Sequence, residues 1–167
     1  MDTSPAPRWL DEREAHAWRS YTRMRVQLQA RLAQALQRRS GLSEPDYDVL
    51  VHLSEAPDAR LRPFQLGQAL QWEKSRLSHQ LTRMARRGLV ARHDCDTDGR
   101  GAYVVLTPAG LAAIEAAAPA HVDDVRRHLV DALTPQQLEA LADIADTVLA
   151  NLQRLEADEM DAEAEAR

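Results

Sequence analysis

The chain has 167 residues, of which 44% are hydrophobic and 28% charged, and its formal net charge is −5. This composition is typical of a globular protein that can bury one core. A single cysteine, Cys95, cannot form an intrachain disulfide, which favours a reducing cytoplasm. A helix that spans a membrane needs about 18 consecutive apolar residues, and no segment of this sequence comes near that length. No signal peptide is expected.

The N-terminal third predicts a loose arm followed by two helices. Residues 1–8 are polar and contain proline, whereas apolar residues recur every three or four positions from Trp9 to about Arg39. Gly41 is expected to end that helix. Ser43 then offers an N-cap, with Asp46 at the third helical position.

Residues 61–107 have the order of a helix-turn-helix followed by a wing. A short helix begins near Pro63 and is expected to bury four apolar residues: Phe64, Leu66, Ala69 and Leu70. A turn at 71–73 leads into a fourth helix that ends at Gly88. Two strands, 89–91 and 103–106, flank a run of turn-forming residues that predicts a hairpin tip. The predicted fold class is mainly α with a small β-hairpin wing, a winged helix-turn-helix flanked by N- and C-terminal helices.

The C-terminal third predicts two more helices. Thr107 and Pro108 are expected to begin the fifth, and Pro119 to kink or break it. Thr134 and Gln137 match a capping box at the start of the sixth helix. Residues 156–167 contain six acids and one arginine and are expected to be frayed.

Positive charge is concentrated between Arg60 and Arg92. This stretch holds eight lysine or arginine residues and one acid, Glu73, which gives +7 within a chain of net −5. Such a concentration is typical of a surface that holds a polyanion.

One face of the fourth helix carries only side chains that can hydrogen-bond or carry positive charge. On a helical wheel Leu77, Leu81 and Met84 face the core, so the polar residues face away from it. We expect Ser75, Arg76, Ser78 and His79 to read bases and Arg83 and Arg86 to bind phosphates, with Gln80 also within reach of bases or phosphates. A solvated helix face is the alternative, and the neighbouring helix and hairpin favour DNA.

The hairpin tip contains Asp98 and Arg100. An arginine at this place can enter a narrow minor groove, where the negative potential is enhanced. Asp98 is expected to orient an arginine or to cap the turn, and an ordinary turn residue is the alternative.

Three motifs together resemble the MarR family of bacterial transcription regulators. They are Arg-Gly-Leu-Val at 87–90, Asp-Gly-Arg-Gly at 98–101 and Val-Leu-Thr-Pro-Ala-Gly at 105–110. In addition, residues 43–47 fit the family's second helix, and residues 74–80, which begin with Lys74, fit its recognition helix. The resemblance implies a DNA-binding core at 43–107 and dimerisation helices at 9–39 and 108–155. It implies a homodimer on a palindromic double-stranded operator, with Arg100 in the minor groove beside Asp98. Gly99 stands where many members carry a second arginine.

The resemblance also implies a small aromatic effector. Candidate lining residues are Trp18, Tyr21, Met24, His52 and Trp72, each of which also suits an ordinary core or interface. No histidine spacing indicates a metal site, no catalytic arrangement emerges, and no cofactor is expected. Cys95 lies among acids, which slow thiol chemistry, so we expect it to be inert.

These observations predict a cytoplasmic, homodimeric repressor that a small molecule releases from DNA, and not an enzyme. The alternative is a winged-helix module that binds protein without reading DNA. The cationic stretch argues against that alternative.

Overall fold

The computed structural model describes residues 7–94 and 102–165. The elements follow in chain order, with short 3-10 turns at Pro57–Ala59 and Val130–Ala132. They are α1 (Glu12–Ser40), α2 (Glu44–Glu55), β1 (Arg60–Leu61), α3 (Pro63–Leu70), α4 (Lys74–Arg86), β2 (Val90–Asp94), β3 (Ala102–Leu106), α5 (Pro108–His128) and α6 (Pro135–Glu165).

Local capping determines where the first two helices begin and end. The Asp11 carboxylate accepts from the backbone N–H of Glu14 at 2.8 Å, so α1 begins at Glu12 and not at Trp9. Gly41 ends α1 with φ of 69°, a left-handed conformation that favours glycine. The predicted box of Ser43 and Asp46 is confirmed, since each side chain accepts from the other residue's backbone N–H.

A three-stranded antiparallel sheet follows, in the order β1-β3-β2. The register pairs Leu61 with Val104 and Val90 with Leu106. Val90, Val104 and Leu106 are buried, so this face of the sheet packs on the core and the alternate residues face outward. The hairpin of β2 and β3 was predicted, whereas β1 was not.

The core lies between α2, α3, α4 and the sheet. Val49, Leu50, Leu66 and Met84 are completely buried. Phe64 was expected in this core but is 72% exposed, and Ala69 is also exposed. The reason is that the eight-residue helix α3 turns only a narrow stripe, Leu66 and the half-buried Leu70, toward the core.

Helix α5 begins in tight contact with the hairpin. The Thr107 hydroxyl oxygen accepts from the backbone N–H of Gly110 at 3.0 Å and lies 2.6 Å from the carbonyl oxygen of Gly88. A Cβ at Gly110 would lie 2.0 Å from the carbonyl oxygen of Leu89, so only glycine fits there. The helix continues through Pro119, which does not break it.

The chain divides into two compact units, the first ending at Asp124 and the second beginning at Val125. In the second unit Thr134 and Gln137 form the predicted capping box at the start of α6. Helix α6 continues to Glu165, in contrast to the frayed tail expected from residue 156. Alanine, glutamate and methionine favour helix, and no glycine or proline interrupts them. No helix within the two described ranges has the length and apolar character to cross a membrane.

Candidate nucleic-acid interface

Helices α3 and α4 are joined by a three-residue turn that sets the start of α4. Gln71 adopts φ of 52°, in the left-handed region, and the backbone N–H of Trp72 donates to the carbonyl of Gly67 at 2.9 Å. These two features close α3 and redirect the chain. Helix α4 therefore begins at Lys74, directly beside the end of α3.

The predicted outer face of α4 lies in solvent with one exception. Leu77, Leu81 and Met84 are buried, as the helical wheel predicts. Seven of the residues assigned to DNA are exposed: Lys74, Ser75, Arg76, Ser78, His79, Arg83 and Arg86. The exposed set carries four cationic side chains along one helix, which gives a surface suited to a phosphate backbone.

The exception is Gln80, which was expected within reach of bases or phosphates but is buried. Gln80 is only 2% exposed, and its Nε2 donates to Asp46 Oδ1 at 2.7 Å. Its Oε1 accepts from the guanidinium of Arg83. Gln80 lies three residues after Leu77 and four before Met84, so the helix itself turns it toward the core.

Gln80 belongs to a polar network around the buried carboxylate of Asp46. Arg87 donates to Asp46 Oδ2 at 2.6 Å and to the carbonyl oxygen of Gly41 at 3.1 Å. Burial opposes ionisation of Asp46, yet hydrogen bonds from Ser43 and the charge of Arg87 outweigh it and hold its pKa below the usual range. The charge of Arg87, whose side chain is 44% exposed, is thus compensated by a buried carboxylate.

Arg76 lies over the indole ring of Trp72. The guanidinium carbon is 4.3 Å from the ring centroid, within the range of a cation–π contact. Arg76 is in the first turn of α4, where recognition helices contact bases.

A groove of about 800 Å³ separates α3 and α4 from the base of the hairpin. Its lining includes Phe64, Trp72, Lys74, Ser78 and Arg92. Aromatic, cationic and hydroxyl groups therefore meet beside the first turns of α4.

Two further arginines lie near the hairpin. The guanidinium carbons of Arg60 and Arg62 are 5.0 Å and 5.1 Å from the centroid of the Tyr103 ring. Arg60 pairs with Val105, which faces away from the core, so Arg60, Arg62 and Tyr103 lie on the outward face of the sheet. Both arginines contribute to the charge of the cationic stretch in the sequence, but their place beside the hairpin was not predicted, because the two-residue strand β1 is too short to show a pattern.

Several positions singled out in the sequence lie outside the described residues. They are Asp98, Gly99 and Arg100, expected at the hairpin tip, together with Cys95 and residues 1–6 of the expected arm.

The five effector candidates lie at different places. Trp72 lines the groove beside α4, whereas Trp18, Tyr21 and Met24 are exposed on α1. The Trp18 and Tyr21 rings are 6.0 Å apart.

His52 Nδ1 lies 2.8 Å from the carbonyl oxygen of Asp48 in its own helix. Burial, with the charge of Glu44, raises the pKa of Asp48, and His52, His121 and Arg76 oppose the shift.

Two similarities to known proteins cover part of the chain. The family model described as MarR family matches residues 40–101. The repressor YetL of Bacillus subtilis is 33% identical over 85 residues, which span 51% of each chain. The matched stretch thus covers about half of that relative.

Two crystal structures are similar over most of their length. AbsC, a MarR family transcriptional regulator of Streptomyces coelicolor, is 41% identical with a TM-score of 0.83, and the match covers 88% of this chain and 99% of AbsC. Sco3205 of the same organism, solved in complex with DNA, is 40% identical with a TM-score of 0.83 over 87% of this chain and 92% of Sco3205. The winged helix-turn-helix and these likenesses agree, and the chain belongs to the MarR family of transcriptional regulators.

Proposed function

We propose that this protein is a cytoplasmic, homodimeric repressor that reads a palindromic DNA operator with α4 and leaves it when a small aromatic molecule binds. The main observation behind this proposal is the outer face of α4. Every lysine and arginine from Lys74 to Arg86 is exposed there, whereas Leu77, Leu81 and Met84 are buried on the other side. The same function is supported by Sco3205, which was solved in complex with DNA, and by YetL, which is named a transcriptional repressor.

Base reading is assigned to the first turns of α4. Arg76 has the planar fork that matches guanine O6 and N7, and Ser75, Ser78 and His79 face the same solvent side. Arg83 and Arg86 lie about two and three turns after Arg76, where a helix in the major groove approaches the phosphates. We assign Asp98 and Arg100 to the wing contact in the minor groove, as the family resemblance implies.

The homodimer is proposed from apolar side chains that the single chain leaves in solvent. On α1 these are Trp18 (60% exposed), Tyr21 (51%) and Val26 (54%). On α6 Ile144 is 62% exposed and Val148 51%. Helical stripes of this kind are typical of surfaces that a second chain covers. A twofold dimer would place its two α4 helices about 34 Å apart, one turn of DNA.

The test is selection of duplexes from a random library with the purified protein, followed by fluorescence anisotropy on the selected duplex and on a scrambled one. We expect a palindromic selected sequence, two protomers per duplex, and affinity at least about 10³-fold above the scrambled duplex. Binding should also weaken steeply as salt rises. Equal and weak binding to both duplexes would contradict sequence reading and favour a protein-binding winged-helix module.

Effector release has its own test on the same complex. Small aromatic acids and phenols are added to the saturated complex, and a saturable loss of anisotropy is expected from at least one of them. A complex that no member of such a panel dissociates would contradict this part of the proposal. A displacing compound should leave the protein dimeric, which separates release from denaturation.

A further inference from the structure

Trp72 is fixed in the turn that precedes α4. Its backbone N–H donates to the Gly67 carbonyl at 2.9 Å, and its half-buried side chain packs against the hydrophobic core. A Cβ added at Gly67 would lie 3.4 Å from the Trp72 carbonyl oxygen, so α3 and the turn are already in close contact. The indole therefore has a fixed place relative to the first turn of α4.

Arg76 uses this ring as a support. Its guanidinium carbon lies 4.3 Å from the indole centroid, although the arginine as a whole is exposed. A cation–π contact engages the flat face of a guanidinium and leaves the N–H donors at its edge available. Those donors are the ones that form a bidentate contact with guanine. Within the described part of the chain Arg76 forms no direct salt bridge, in contrast to Arg87, and its charge acts on the Asp48 carboxylate only from a longer distance.

We propose that Trp72 is a positioning residue that holds Arg76 in the conformation that reads a base, and so determines the specificity of the site. This inference rests on the proposed function. An arginine without such a contact loses the freedom to adopt many rotamers when it binds a base, and this loss of entropy weakens binding. The contact with Trp72 already restricts the rotamers of Arg76, so less entropy is lost on binding. Trp72 thereby favours the correct base pair without contact to DNA.

The experiment is a double-mutant cycle on the selected duplex, with Trp72→Leu, Trp72→Phe, Arg76→Ala and the Trp72→Leu/Arg76→Ala double variant. Trp72→Leu should weaken binding about 3- to 30-fold, the range of a cation–π contact, and Trp72→Phe should weaken it less. In the Arg76→Ala background Trp72→Leu should have no further effect. Repeated selection should show that Trp72→Leu relaxes preference at the same base pair as Arg76→Ala.

A merely structural role gives a different result. If Trp72→Leu weakens binding equally with and without Arg76, and equally to the scrambled duplex, the inference is wrong while the proposed function stands. If the unaltered protein prefers no duplex, the proposed function fails and the reading role of Trp72 fails with it.

A measurement without DNA checks the stacking itself. Nuclear magnetic resonance signals of the Arg76 side chain should be shifted upfield by the indole ring and should return to ordinary values in Trp72→Leu. Ordinary Arg76 shifts in the unaltered protein would overturn the inference. The thermal midpoint of each variant shows whether Trp72→Leu remains folded.

Discussion

Asp46 shows how one buried carboxylate organises several residues. It accepts from Gln80 at 2.7 Å and from Arg87 at 2.6 Å, and it also caps α2 through Ser43. Without this carboxylate the buried amide of Gln80 is left with a donor that has lost its acceptor. Asp46 is therefore a residue of stability and not of DNA contact.

Removal of its charge should change how stability depends on pH. The pKa of Asp46 in the folded protein lies below its ordinary 3.8, so its stabilisation is complete above that value and is lost as the pH falls below it. Asp46→Asn should lower the free energy of unfolding at pH 7 by about 1–3 kcal/mol. It should also flatten the loss of stability below about pH 4. Urea denaturation at several pH values measures both effects.

An exposed pair of the same chemistry provides the control. The Asp58 and Arg60 side chains are 3.1 Å apart and 73% and 49% exposed. Asp58→Asn should cost no more than about 1 kcal/mol, because solvent screens such pairs. Equal losses from Asp46→Asn and Asp58→Asn would contradict the special role of the buried carboxylate.

Arg83 and Arg86 should differ from Arg76 in their effect on DNA. Both lie after the turns to which we assign base reading, so Arg86→Ala should weaken binding to the selected and the scrambled duplex alike and reduce the salt slope by about one. Arg76→Ala should instead cost about 1–3 kcal/mol on the selected duplex and relax one base pair. Anisotropy at several salt concentrations separates the effect of Arg86→Ala from that of Arg76→Ala. A base preference that changes with Arg86→Ala would contradict the assignment of Arg86 to phosphates.

Some residue positions could be predicted from sequence and others could not. The caps at Ser43 and Thr134 depend on neighbours three residues away, and both were predicted. Gln80 was misassigned because its partner, Asp46, is 34 residues distant in the chain. A polar side chain on the buried side of a helix acquires its role from such a partner, which no local pattern reveals.

At the scale of elements, the contact between α5 and the hairpin depends on Gly110. Gly110→Ala would place a Cβ within 2.0 Å of a backbone carbonyl oxygen, so the helix must shift. We expect a loss of about 3 kcal/mol or more in the free energy of unfolding, at the upper end of overpacking effects. Chemical denaturation followed by circular dichroism measures it.

Gly41→Ala is the matched variant, since Gly41 has φ of 69° and open space around it. It should lower the free energy of unfolding by only about 1–2 kcal/mol, which is the penalty for alanine in the left-handed conformation. A smaller loss for Gly110→Ala than for Gly41→Ala would show that α5 can move away from Leu89 freely.

The elements themselves were largely predictable, because periodic apolar residues and end signals define the six helices and the hairpin. The short strand β1 was not, since two residues cannot show alternation. Phe64 was placed inside because it is apolar, yet burial in α3 depends on which stripe meets α2 and α4. The continuation of α6 through the acidic segment shows that helix propensity outweighs like-charge repulsion there.

At the scale of the whole molecule, the proposed dimer depends on apolar side chains of α6. Ile144→Glu should convert the dimer to a monomer, because a buried charge without a partner opposes association. Ala150→Glu, on the opposite side of the helix and also exposed, should leave the dimer intact. Sedimentation velocity gives the oligomeric state.

The same pair links assembly to DNA. If Ile144→Glu is a folded monomer, its affinity for the palindromic duplex should fall at least about tenfold, because the two half-sites no longer act together. Affinity for a single half-site should change little. A monomeric variant with undiminished affinity for the palindrome would contradict the dimeric reader.

The guanidinium of Arg87 holds the corner between α1 and α2 to the end of α4, through Gly41 and Asp46. A local opening of that corner should therefore release the last turn of α4 as well. Backbone amides of the α2 start and of the α4 end should exchange with deuterium through one shared opening event. Arg87→Met should separate them into two, with the corner exchanging faster. The network would then set the cooperative folding unit to which α4 belongs.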